Sequence, residues 1–179
     1  MTDQAENPIV YDVVVIGGGP AGLAAAIALT AAGAATALVA RRLPYADNRT
    51  TALLGGSVDL LERLDVWSRC ADKAAALTTM RLVDDTGRLI RAPEVKFQSD
   101  EIGMETFGYN IQNRELMIAL EARAAEMDRL TRFDDEAESV AVDDIGAVVR
   151  LRGGPSSRPA WWSAPTDGSR CAATPPASR

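Results

Sequence analysis

The sequence predicts an α/β fold, a parallel-sheet βαβ unit extended by β-hairpins, and three observations carry that expectation. Val10 to Ile16 (VYDVVVI) is a run of β-branched residues of the kind buried on both faces of a parallel sheet. Gly17, Gly19 and Gly22 follow at once in the segment GGGPAG. An alanine- and leucine-rich stretch from Pro20 to Ala32 then reads as a helix, and Thr36 to Ala40 as a second strand. Strand, glycine turn, helix and strand within about 30 residues make a βαβ unit, whose crossover is almost always right-handed.

The elements follow in order. Gly33 sits where a helix starting at Pro20 should stop. Ala21 to Ala40 is nearly all apolar and long enough to raise a membrane span, but helix, glycine stop and strand explain it better. Arg41 to Thr51 is polar and irregular, and Gly56 to Leu64 (GSVDLLERL) has helical spacing at Val58, Leu61 and Leu64. Met80 to Val83 and Arg88 to Ile90 flank DDTG, which reads as a hairpin turn. Asn113 is an expected N-cap for a helix from Arg114 to Met127, with Leu116, Leu120 and Ala124 on one face. Ala137 to Val142 and Ala147 to Leu151 form a second hairpin around Asp143, Asp144 and Gly146.

Composition narrows the chemistry. A chain of 179 residues with 47% hydrophobic content can build a core about one domain in size. A net charge of −6, with no local basic stripe, argues against nucleic acid and anionic membranes as partners. There is no histidine, and the two cysteines are Cys70 and Cys171, so histidine triads, zinc sites and disulfide frameworks are excluded. Chemistry must come mainly from a cofactor. The acidic start MTDQAENP lacks the basic and apolar regions of a signal peptide. A cytoplasmic location is expected, with peripheral association at the inner membrane left open.

The glycine turn points to a nucleotide. Gly17 permits the tight turn, Gly19 lets backbone approach a pyrophosphate, and Gly22 lets helix and strand pack closely. The whole turn, Gly17, Gly18, Gly19, Pro20, Ala21 and Gly22, is therefore a candidate phosphate cradle at a helix N-terminus. The second strand departs from the usual pattern. Where an acidic residue would hold ribose hydroxyls stands Ala40, followed by Arg41 and Arg42. Arginine there also suits a 2′-phosphate, which keeps an NADP-binding reductase domain open as an alternative.

DVVVIGGGPAGLAAAIAL, DNRTTALLGGSVDLLERLDVW and YNIQNRELMIALEARAAE, in that order, resemble the N-terminal part of the FAD-dependent aromatic hydroxylases, especially the ubiquinone-biosynthesis hydroxylase family. The resemblance covers residues 10 to 150 and implies a Rossmann-like FAD/NAD(P)-binding domain over 1–152. By position in these motifs it implies that Arg49 contacts the FAD and that Arg114 lies near the flavin; with the glycine turn and Arg41 they complete the candidate cofactor-binding residues. It further implies that NAD(P)H reduces the flavin and that O₂ supplies the oxygen placed on an aromatic ring. The substrate would be a small aromatic molecule, a lipid quinone precursor in the nearest case. No side chain stands out as a catalytic acid, base or nucleophile.

The composition changes at Gly153. Residues 153–179 are rich in proline, serine and arginine, lack either period, and read as a disordered tail. The family's A-D-G and G-D motifs are not found in frame, so the fold is expected to be incomplete at its C-terminus. Read one base back, however, Trp161, Trp162 and a TC-initiated Ser163 codon give Val-Val. The same frame permits A-R-L-V-V-G-A-D-G-R over the region. A hydroxylase frameshifted or truncated near Gly153 to Pro155 is the resulting expectation, with poor solubility or dependence on another chain as its consequence. A non-catalytic remnant is the third reading.

Overall fold

A computed structural model describes residues 10–42, 48–87, 91–144, 146–153 and 160–163. In chain order the strands and α-helices are β1 (Val10–Tyr11), β2 (Val13–Ile16), α1 (Pro20–Ala31), β3 (Thr36–Val39), β4 (Thr50–Leu54), α2 (Gly55–Arg63), β5 (Ala75–Ala76) and β6 (Thr79–Leu82). They continue with β7 (Val95–Gln98), β8 (Gly108–Gln112), α3 (Asn113–Ala125), β9 (Leu130–Phe133), β10 (Ala137–Val142), β11 (Gly146–Leu151) and β12 (Ala160–Ser163). The chain divides into two compact units. One joins residues 1–43 to 124–179, and the other is the intervening stretch 44–123.

The first unit holds the βαβ arrangement. Its parallel sheet has the order β2-β3-β9, with Val14 opposite Ala37 and Ala37 opposite Thr131. The central strand β3 is buried throughout, as a strand flanked on both edges should be. The first strand differs from expectation. Asp12 interrupts it: the Asp12 carboxylate accepts a hydrogen bond from the Ala35 N–H at 2.7 Å, and the Asp12 N–H donates to the Ala35 carbonyl at 2.9 Å. β2 is also only half-buried, with Ile16 49% exposed, because the described sheet covers it on one edge alone. Helix α1 packs Leu23, Ala26, Ile27 and Thr30 inward, the i, i+3, i+4, i+7 face of an otherwise uniformly apolar helix. Gly33, at φ +97°, stops it. The apolar run 21–40 is thus a helix and a buried strand, and no helix among the described residues is long and apolar enough to cross a membrane.

A second sheet in this unit has the order β1-β12-β11-β10. The hairpin β10–β11 forms as expected, closed by the Asp143 N–H to the Gly146 carbonyl at 2.9 Å and the Gly146 N–H to the Asp143 carboxylate at 2.8 Å. Tyr11 meets Phe133 edge-on at 5.9 Å and ties β1 to the end of β9. Ala160–Ser163, expected within a structureless tail, instead forms β12 between β1 and β11. The remaining tail residues after Gly153 lie outside the described set.

The second unit is organised by β4, β5 and β8, with β8 central and both neighbours antiparallel to it. Val58 and Leu61 of α2, Leu64 and Val66 after it, and Leu116, Ala119 and Leu120 of α3 form the core with Leu53 and Ile111. Trp67 stacks obliquely on Tyr109 at 5.1 Å. Cys70 is buried beside them, and that burial pushes its thiol up from the ordinary value. The expected hairpin around DDTG is corrected here. β6 pairs with β7, Met80 opposite Phe97, and the intended partner 88–90 lies outside the described residues. The Asp84 carboxylate explains the longer excursion, accepting from the N–H groups of both Thr86 and Ala92 at 3.0 Å.

Candidate functional site

The glycine turn leaves the carboxyl end of β2 and enters α1, and each of its glycines meets a different constraint. Gly17 adopts φ +118°, a conformation that L side chains rarely take, while its N–H donates to the Val39 carbonyl at 3.0 Å. That bond pins the turn to the end of β3. A Cβ at Gly22 would stand 2.0 Å from the Gly17 carbonyl oxygen, so the helix can press onto the turn only through a glycine. A Cβ at Gly18 would lie 2.6 Å from Cβ of Ala40. At Gly19 a Cβ would meet nothing within 4 Å.

This pattern fits a phosphate ligand. Gly19 is the N-cap of α1, with Pro20 following and no side-chain cap hydrogen bond. The first turn carries no acidic residue. Its backbone donors and positive dipole end thus have no side-chain cap, and a Cβ at Gly19 would meet nothing within 4 Å among the described residues, which leaves room for a phosphate there. Gly18 lets the turn close against the end of β3, since a side chain there would meet the Cβ of Ala40, and the Ala40 N–H donates to the Phe133 carbonyl at 3.0 Å.

The basic residues fall into two groups. Arg41 is 57% exposed and bonds Glu136, whose second oxygen takes Arg152 at 2.5 Å. Arg42 uses its backbone N–H to reach the Asp134 carboxylate at 2.6 Å. Sequence reasoning missed Arg132, half-buried on β9 opposite Leu38, with Nη2 3.6 Å from where a Gly18 Cβ would lie. An arginine within a short LTRF strand carries no motif, and only the pairing of β9 with β3 brings it under the turn.

Arg49 and Arg114 lie in the second unit, and the structure brings them to one place. β4 and β8 pair with Thr50 opposite Gln112, so Arg49, just before β4, and Arg114, just after β8, flank the same end of the ladder. The Asn113 N–H donates to the Arg49 carbonyl at 2.9 Å, and the Thr51 hydroxyl bonds the Asn113 side chain. Both arginines are exposed. Sequence motifs gave two separate candidates; the antiparallel pairing makes them one cationic corner.

Fold and turn together define a dinucleotide-binding α/β protein. The chain belongs to the FAD-binding domain family, whose model matches residues 10–170, and FAD is the cofactor of that domain. No curated protein sequence matches it. Among solved structures it is similar to p-nitrophenol 4-monooxygenase PnpA from Pseudomonas putida (TM-score 0.67, 16% identity, 88% of this chain and 40% of that one). It is similar also to the flavin-dependent monooxygenase PieE, in complex with FAD and substrate (TM-score 0.66, 24% identity, 88% and 29%). A third is OxyS anhydrotetracycline hydroxylase from Streptomyces rimosus (TM-score 0.67, 22% identity, 87% and 30%). The chain spans less than half the length of these structures.

Proposed function

We propose that this chain is the ADP-binding end of an FAD-dependent monooxygenase, an oxidoreductase that hydroxylates a small aromatic substrate of the ubiquinone-precursor type using NAD(P)H and O₂. The observation that carries the reading is the turn from Gly17 to Gly22, closed on itself at Gly22 and open at Gly19. The named activities of PnpA, PieE and OxyS point the same way.

Bound FAD would supply the redox chemistry, accepting hydride and activating oxygen. The chain's own residues bind and orient it. The backbone of Gly17, Gly18, Gly19, Pro20, Ala21 and Gly22 holds the pyrophosphate, and the α1 dipole offsets its charge. Arg49 and Arg114, at one end of the β4–β8 ladder, are the arginines that the family resemblance assigns to the cofactor. Arg41 contributes less, since Glu136 competes for its guanidinium. The place of action is the cytoplasm, at the inner-membrane surface if the substrate is a lipid quinone precursor.

Absorbance of the purified chain after incubation with FAD and removal of free ligand tests this, with Gly19→Val as control. Flavin bands retained by the wild type alone are expected. A colourless wild type that instead retains a 2′-phosphate nucleotide would favour the NADP reading, which Ala40 followed by Arg41 keeps open.

A further inference from the structure

The glycine turn has a charged floor. A Cβ built on Gly18 would stand 2.6 Å from the Cβ of Ala40 and 3.6 Å from Nη2 of Arg132. Strand pairing puts both residues there. Ala40 directly follows β3, and Arg132 lies on β9 opposite Leu38, one residue before the end of the same parallel pair. The Gly17 N–H donates to the Val39 carbonyl and the Ala40 N–H to the Phe133 carbonyl, each at 3.0 Å, so the turn, the end of β3 and the end of β9 are hydrogen-bonded in series. Arg132 is half-buried, and its Nε is closed to solvent.

A guanidinium stays protonated across the physiological pH range. Keeping that charge half out of water costs free energy, which an anion held nearby offsets. The other arginines at this end of the sheet are placed differently. Arg41 is 57% exposed and pairs with Glu136, and Arg152, 67% exposed, pairs with the same carboxylate. The Asp134 carboxylate accepts the Arg42 N–H, and the Asp135 carboxylate accepts the Gly153 N–H. Alanine at position 40 acquires a physical consequence in this setting. An acidic residue there would bring a carboxylate to the Arg132 guanidinium and offset its charge, whereas Ala40 leaves that charge to the ligand of the turn.

We propose that Arg132 is a cofactor-positioning residue, whose guanidinium stands under Gly18 and supplies a fixed positive charge to the diphosphate held by the glycine turn. The inference rests on the reading of that turn as the FAD site. It places the charge inside the fold, on β9, and leaves Arg41 to its ion pair with Glu136. Half-burial makes such a charge less sensitive to salt than an exposed one. A side chain already held against the turn also has less freedom to lose when the ligand arrives.

Calorimetric titration of the wild-type chain and of Arg132→Met, Arg132→Gln and Arg132→Lys with FAD and with ADP tests this, with the apo-protein Tm of each recorded. Methionine keeps an apolar stem of similar length, glutamine keeps hydrogen-bonding groups, and lysine alone keeps the charge. The Met and Gln variants are expected to bind both ligands at least about tenfold more weakly, and the Lys variant to stay within about threefold of the wild type. ADP should follow FAD because it carries the same diphosphate without the flavin. A Lys variant as weak as the Met and Gln variants, or Met and Gln variants that bind as the wild type does, overturns the proposal. Folding of the Lys variant alone among the three also overturns it, by making the charge a requirement of the fold. A wild-type chain that binds neither FAD nor ADP overturns the cofactor reading and this inference together, while binding by the wild type with an unresponsive Arg132 series overturns this inference alone.

Discussion

Replacing Gly22 and Gly19 by alanine separates what the turn does for folding from what it does for binding. At Gly22 the new Cβ would lie 2.0 Å from the Gly17 carbonyl oxygen, and relief requires a backbone shift of about 1 Å or more against ordinary contact distances. That shift opposes the Gly17 bond to Val39 and the close fit of α1, so the cost belongs at the upper end of overpacking, about 3 kcal/mol. At about 2–4 °C per kcal/mol, Gly22→Ala should lower the apo-protein Tm by about 6–12 °C. Gly19 has φ −76° and ψ 177°, accessible to any residue, and open space around its Cβ position. Reduced unfolded-state entropy, about 0.4–1 kcal/mol in favour of alanine, is offset by alanine's poorer N-capping, leaving the apo Tm within about 2 °C. FAD affinity should nevertheless fall at least about tenfold, because the Cβ occupies the space left for phosphate. Thermal unfolding of apo protein and flavin fluorescence titration measure the two effects. An equal Tm loss in both variants, or unchanged FAD affinity in Gly19→Ala, would refute the division of roles.

Gly18→Ala should destabilise by about 1–3 kcal/mol through the 2.6 Å approach to Cβ of Ala40, and adding Ala40→Gly should recover part of that loss in a double-mutant cycle. Arg49→Ala and Arg114→Ala should each weaken FAD binding about tenfold while leaving the far-ultraviolet spectrum unchanged; Arg41→Ala should cost less, since Glu136 already holds that side chain. Cys70, 1% exposed and with a thiol raised by burial, should resist alkylation in the native protein and react on denaturation, as peptide mapping at that residue would show.

The parts of the fold legible in the sequence are those whose pattern is local. α1, α2, α3 and the β10–β11 hairpin follow from helical spacing and turn residues, and their bounds fall within a few residues of expectation. β9 was not legible because Leu130–Phe133 is short and interrupted by Arg132, and only the parallel partner β3 makes it a strand. β4 was not legible: it begins at Thr50 and Thr51, the last residues of a stretch read as irregular, and its strand character comes from β8, far along the chain. The β6 partner was misplaced because DDTG resembles a tight turn, whereas Asp84 organises a longer loop. In the site, the glycines were legible by spacing. The closeness of Gly18 to Ala40, the place of Arg132 and the joining of Arg49 to Arg114 depend on strand pairing, which no local pattern encodes.

The interleaving of the two units sets an order of events on the ribosome. The unit formed by 44–123 is continuous in sequence and can condense as soon as it emerges. The other begins earlier yet must wait, because Val39 acquires its neighbour Phe133 only after the whole intervening unit has been made. Until then β2, β3 and α1 hold buried-type surface with nothing to cover one side. Contacts of such long sequence separation form slowly, so refolding should show a fast phase reported by Trp67, within the continuous unit, and a slower phase for closure of the parallel sheet.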